Sequence, residues 1–330
     1  MGIAVTSRFA QTGRLAVLVL AGMCIAPKAA AADQRYALIV TGAAGGSEYA
    51  QKYQKWRWSL VRTLREKLEW PADHIYELSD EGEGRLKATR ENVRRAASEL
   101  RTRAIDGDLT LVVLIGHGTA DTEEAKFNLV GPDLDVDEWA AVIKPIPGRL
   151  VFVNGASGSF PFLAKLAGQG RIVLTAADSA AQQFETVFPQ FFVEAIGSDE
   201  ADLDKNGKVS MLEAFTFSST RVKNWFEQRG QLATERPLLD DTGDGIGREA
   251  DAPARGGTLA QVIYLQPDVP RALAANPRLA ALTRQRAEAE NKLHMLRSNK
   301  GNMPAAQYEA ELERLLLDLA RLDRQLRSKT

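Results

Sequence analysis

Cysteine is almost absent from this chain. One residue in 330, Cys24, carries a thiol, and it lies in a segment that reads as an export signal. Arg8 and Arg14 precede an apolar run over residues 15–26, and Ala30, Ala31 and Ala32 supply the small residues that a signal peptidase needs before Asp33. The run has roughly 12 residues where a bilayer span needs about 20. The expectation is therefore a signal peptide over residues 1–32, no transmembrane span in the mature chain, and a secreted or periplasmic destination. Cleavage takes Cys24 with it. A chain without thiols has no disulfide, no cysteine nucleophile and no thiolate metal ligand.

Histidine is scarce as well. His74, His117 and His294 are the three present, and none sits among carboxylates or other histidines at zinc-binding spacing, so no zinc is expected. Neither charge sign is in excess: 42 Lys and Arg face 43 Asp and Glu, and loss of Arg8, Arg14 and Lys28 moves the formal net charge from −1 to −4. No chain-wide field draws the protein to nucleic acid or an anionic membrane. The glycines of residues 42–46 lack both GxGxxG spacing and the Walker lysine, so no nucleotide is expected, and the segment reads as a turn into a helix.

What is present is an α/β pattern. Continuous apolar runs at residues 36–41, 109–115, 150–153 and 172–175, with a shorter one at 75–78, predict strands buried on both faces of a parallel sheet. Helical spacing over residues 47–70 and 89–103 separates them. The fold class is α/β, a doubly wound, mostly parallel sheet with helices on both faces. In that architecture ligand chemistry gathers at the carboxyl ends of the strands. A further strand is expected over residues 259–265.

Two strand ends carry candidate chemistry. His117 follows LVVLI in a Gly-His-Gly turn, where a general base belongs. LVFV runs into Asn154, Gly155, Ala156, Ser157, Gly158 and Ser159, a small-residue turn where a nucleophile and oxyanion donors could stand. With LVVLIGHGT, VNGASGS and VLTAADSA in this order, the chain from about residue 35 to 250 resembles the caspase and legumain peptidases, a group that includes the C13 family. The resemblance implies a caspase-haemoglobinase-like fold, His117 as the base, and Asp178 near the residue-recognition pocket. Aligning Ser157 and Gly158 on the family's Ser-Gly puts the nucleophilic cysteine at Gly155, which has no side chain. A base with no thiol to activate performs no cysteine proteolysis. The resemblance thus implies an exported pseudo-peptidase that binds peptide or protein. Serine catalysis by Ser157 or Ser159 with His117 is the alternative; otherwise both serines bond to the backbone of a tight turn.

The sharpest local motif is residues 202–213, which match an EF-hand loop. Asp202, Asp204 and Asn206 supply side-chain oxygens, Gly207 the sharp turn, Lys208 a carbonyl, Ser210 the ninth position and Glu213 the closing carboxylate. Calcium is the expected cofactor, and a calcium-stabilised structural or assembly module is a third reading. Residues 238–247 repeat part of the pattern through Asp240, Asp244 and Gly245, without a closing glutamate. Pro267, Pro270 and Pro277 mark the end of the α/β domain, residues 33–266. Residues 267–330 read as a helical hairpin: Leu279, Leu282, Leu293 and Leu296 form one arm, and Leu312, Leu315, Leu319, Leu322 and Leu326 form a coiled-coil-like seam on the other. Such a seam packs within the chain or joins a second copy as a homo-oligomer.

Overall fold

The computed structural model describes residues 34–328, apart from 122–123, 180–181, 183, 252–257, 270–272, 274 and 299. The expected signal peptide lies outside these residues. Strands β1 (Arg35–Thr41), β2 (Ile75–Leu78) and β3 (Leu109–Ile115) are followed by a small antiparallel sheet of β4 (Gly118–Ala120), β5 (Ala125–Phe127) and β6 (Leu134–Asp135). Strands β7 (Arg149–Asn154), β8 (Arg171–Thr175) and β9 (Leu238–Asp240) then complete the main sheet. Its order is β2-β1-β3-β7-β8-β9. All neighbours run parallel except β9, which returns antiparallel along β8.

Every residue of β1 and β3 is buried, because helices cover both faces and leave no polar side to alternate with. Ala37, Ile39, Val113 and Val153 pack on one face with helices α1 (Ser47–Arg62), α5 (Phe188–Gly197) and α6 (Met211–Glu227). Leu38, Val40, Val112 and Phe152 pack on the other with α2 (Arg90–Arg103), α3 (Val136–Ile143) and α4 (Phe160–Leu166). Trp139 of α3 is fully buried and meets Phe127 and Phe152 edge to face, with centroids 6.1 and 6.4 Å apart. Burying each such ring contributes about 1.5–3 kcal/mol. Helix starts are capped locally. Thr89 accepts a bond from the Asn92 amide, and Asp135 with Glu138 and Ser210 with Glu213 form capping boxes, each worth about 1 kcal/mol.

Register sets the position of the site. Arg35 pairs with Leu109, Leu109 with Arg149, and Leu150 with Arg171. Four of the five parallel strands, β1, β3, β7 and β8, therefore end within a residue of one another, at Thr41, Ile115, Asn154 and Thr175, and the residues after them share one rim of the sheet.

Two segments differ from expectation. Residues 259–265 are not a strand: α7 (Thr258–Val262) occupies most of them, and only Tyr264 makes a β-bridge, to Ser210. Leu259 and Ala260 of this helix and Ile263 just after it pack against the core, and Asp241 accepts the Ala260 amide at 2.8 Å. β9 and the small antiparallel sheet have two or three residues per strand, too few to show a period. The C-terminal arms form α8 (Pro277–Ser298) and α9 (Ala305–Arg327), broken where the Asn299–Pro304 gap was expected. Leu293, Leu296 and Leu315 bury one another with Leu312 and Leu319 at their flank, and Arg286 pairs with Asp323 across the hairpin at 2.7 Å. Leu312, Leu315 and Leu319 of the seam are thus engaged within the chain. No helix among the described residues is long and apolar enough to cross a membrane.

Candidate functional site

His117 projects from the end of β3 on the face that carries Val113 and Ile115. Two tyrosines of α1 enclose it. Tyr49 meets the imidazole edge to face with centroids 4.7 Å apart, and the Tyr53 hydroxyl lies 3.2 Å from Nε2. Burial, reinforced by the Glu185 carboxylate, holds the Tyr53 phenol well above its ordinary range. The phenol is therefore neutral, and whichever group donates, Nε2 is already occupied. Tyr49 and Tyr53 stand one helical turn apart just after the first strand. That spacing reads in sequence as core, and only the fold shows what they cover.

Gly155 directly follows the last residue of β7, the strand next to β3. Strand alternation puts it on the same face, following Val151 and Val153, and its amide donates to Leu114 at 3.0 Å. A Cβ at Gly155 would stand 2.4 Å from Pro189 Cγ, 3.1 Å from Pro189 Cβ and 3.1 Å from the Leu114 carbonyl oxygen. A side chain at Gly155, the position that the resemblance would give to a nucleophile, therefore has no room. Pro189 sits in the first turn of α5, where a missing N–H and a fixed φ suit the helix. Three hydrogen bonds hold that turn in place. Thr186 Oγ1 donates to the Gly155 carbonyl, and Glu235 accepts the Val187 and Phe188 amides at 2.8 and 2.7 Å. Glu235 is 2% exposed, and burial pushes its carboxyl up to about 8 against the pull of those two bonds. Neither Pro189 nor Glu235 is detectable by local pattern.

The serines are engaged elsewhere. Ser157 Oγ donates to the Gly118 carbonyl at 2.9 Å and accepts its amide at 3.3 Å, tying the β7 turn to the start of β4. Ser159 Oγ accepts the Ala176 and Ala177 amides, both at 3.1 Å, tying α4 to the end of β8. Both serines are buried, and the structure brings neither hydroxyl onto His117 Nε2. Asp178 lies on the same rim with its carboxylate 3.7 Å from Arg236. Both side chains are partly exposed, so the pair is weak, but a cation of the chain itself already stands where a basic ligand would.

The loop of residues 202–213 folds as its spacing requires. Lys205 and Gly207 take left-handed backbone, φ 59° and 86°. Asp202 accepts the Asn206 and Gly207 amides, and Glu213 reaches back to accept those of Leu203 and Asp204. Ligand oxygens of Asp202, Asp204 and Glu213 lie within 4.8 Å of one another, and among the described residues no side-chain cation pairs with them. Lys208 instead points over the Tyr264 ring, leaving its carbonyl as the backbone donor, while Asn206 Oδ1 accepts the Lys208 amide and Ser210 caps α6. Three converging carboxylates with no counter-charge fit a calcium ion held by oxygens.

The second loop has the opposite solution. Asp240 accepts the Thr242, Gly243 and Gly245 amides at 3.0 Å, but Arg248 enters the centre. Its guanidinium lies 2.6 Å from Asp244, 2.9 Å from the Ile246 carbonyl and 3.8 Å from Asp240. Arg248 also holds the Asp244 carboxyl far below the ordinary range. These oxygens occupy the first, fifth and seventh positions of a calcium-type loop, and a side chain takes the ion's place. The partial repeat of the motif is thus explained without metal.

No family model matches the chain, and no curated protein matches it. Among solved structures it is similar to a Geobacter sulfurreducens protein, GSU0716, at 13% identity and TM-score 0.40, covering 63% of this chain and 93% of that one. It is also similar to the Drosophila initiator caspase Dronc, at 13% identity and TM-score 0.43, covering 66% of this chain and 82% of the caspase.

Proposed function

We propose that this chain is an exported caspase- and legumain-like protein that binds a peptide or protein partner without cleaving it. The observation that carries the reading is the contact between Gly155 and Pro189. The position aligned with the nucleophile is closed by a rigid ring whose helix turn is anchored from Thr186 and Glu235. His117 supports the family reading by its place at the end of β3, next to the β7 turn. Its bond to Tyr53 supports the absence of catalysis. Serine hydrolysis is disfavoured because Ser157 and Ser159 each spend their hydroxyl on backbone partners. Calcium at residues 202–213 is proposed as a structural ligand. The loop leads into α6, so an ion there would fix the helix that closes one face of the core.

A fluorophosphonate probe, followed by peptide mapping, tests the non-catalytic reading. Ser157 and Ser159 are expected to stay unmodified beyond the level of the unfolded chain. Stoichiometric labelling of either, lost in His117→Ala, would establish a working serine hydrolase instead.

A further inference from the structure

The exposed side of α1 carries a pattern that the sheet-end site leaves unused. Lys55, Trp58, Arg62 and Arg65 follow one another at spacings of three, four and three, so they form one stripe along the helix and its π-helical extension (Thr63–Lys67). All four are exposed, and Trp58 keeps 57% of its surface accessible. They line a groove of about 940 Å³ that Glu66 and Glu77 also border, the latter from the edge strand β2. Among the described residues none of the three cations has a carboxylate within ion-pair distance, Arg65 acting on Glu77 only at longer range, whereas Arg57 on the same helix is bonded to Glu81 at 2.6 Å. In a chain whose net charge is negative, three cations around an open indole make a local, predominantly basic surface interrupted by Glu66 and Glu77.

We propose that this groove is a docking site for an extended acidic peptide segment of a partner protein, with an aromatic or aliphatic side chain of that segment stacked on Trp58. Charge complementarity selects the occupant. Lys55, Arg62 and Arg65 receive carboxylates, and the indole supplies the apolar anchor that peptide sites favour. Glu66 and Glu77 interrupt the basic stripe. A continuous anionic surface, lipid or nucleic acid, would meet both carboxylates, whereas a short peptide can place neutral or donor groups opposite them. The length also fits. Twelve helical rises from Gln54 to Glu66 span about 18 Å, the reach of five or six residues in extended form.

Fluorescence anisotropy on the full chain with the labelled peptide Asp-Glu-Phe-Glu-Asp-Glu tests this, beside its amide counterpart Asn-Gln-Phe-Gln-Asn-Gln and phosphatidylglycerol vesicles. The acidic peptide should bind, and salt should weaken it. Combined Lys55→Glu, Arg62→Glu and Arg65→Glu should lower affinity about tenfold or more, and Trp58→Ala by about threefold, with unchanged circular dichroism because all four side chains are exposed. Equal binding of the amide peptide, equal binding by the reversed variant, or binding of vesicles in place of the peptide would overturn the proposal.

Discussion

Putting a methyl group on Gly155 should be costly for a specific and local reason. Carbon atoms in comfortable contact stand about 3.5–4.0 Å apart, and the new Cβ would stand 2.4 Å from Pro189 Cγ. More than an ångström of overlap must be relieved. The β7 end resists, since Gly155 donates to Leu114 and accepts from Thr186. The α5 end resists too, since Pro189 is cyclic, Phe188 and Phe192 behind it are fully buried, and Glu235 grips the Val187 and Phe188 amides. Overpacking of this kind costs about 1–3 kcal/mol. Gly155→Cys, one heavy atom larger, should fall at the upper end. Pro189→Ala removes Cγ, so the pair Gly155→Ala with Pro189→Ala should be more stable than the sum of the single changes by about 1 kcal/mol or more. Urea unfolding reads this as a shift in midpoint at constant slope. A neutral Gly155→Ala, or strict additivity with Pro189→Ala, would refute the claim that the ring fills the position. The same geometry predicts that Gly155→Cys alone creates no peptidase, because the thiol has no room to rest beside His117.

Three further outcomes follow from the anchoring groups and loops. Glu235 titrates near 8 in the folded chain against an ordinary 4.5. The folded state therefore holds the extra proton between those values, and its contribution to stability is complete below about 4.5 and lost as pH rises through 8. The loss is on the order of a few kcal/mol. Glu235→Gln should flatten that part of the pH–stability curve, whereas a curve parallel to that of the unmodified protein would contradict the assignment. Calcium at a hundredfold excess over its dissociation constant should stabilise the protein by about 2.7 kcal/mol, measured as a rise in Tm, and Glu213→Gln should abolish the response. Arg248→Ala should destabilise by roughly 1–3 kcal/mol, since it leaves the Asp240 carboxylate, 1% exposed, without its cation. Thermal unfolding of the variant with and without calcium would also show whether the ion takes the guanidinium's place, as the loop's oxygens predict.

The parts of this fold that sequence made legible are those where one local pattern has one solution. Residues 36–41 and 109–115 are apolar throughout because both faces are covered, and they form β1 and β3 with those limits or within a residue of them. The hairpin break at residues 299–304 was equally plain from its proline, glycine and polar residues. Residues 259–265 misled because Val262, Ile263, Tyr264 and Leu265 favour strands, whereas the helix there depends on Asp241, some 20 residues earlier in the chain, holding the Ala260 amide. The candidate site divides in the same way. That Gly155 offers no nucleophile was visible at once. That Pro189 occupies the space, that Tyr53 occupies His117 and that Arg236 faces Asp178 are contacts between residues far apart in sequence. No local spacing encodes them. The two aspartate loops also looked alike until Arg248 set them apart.

The central claim is that the site at the ends of β3 and β7 binds without cutting. The most direct measurement is incubation of the purified protein with a diverse peptide library, with and without calcium, beside a His117→Ala variant, with products read by mass spectrometry. The account predicts no cleavage that differs between the two proteins in either condition. Cleavage present in the unmodified protein and lost with His117 would contradict it and would place a working nucleophile within reach of the imidazole.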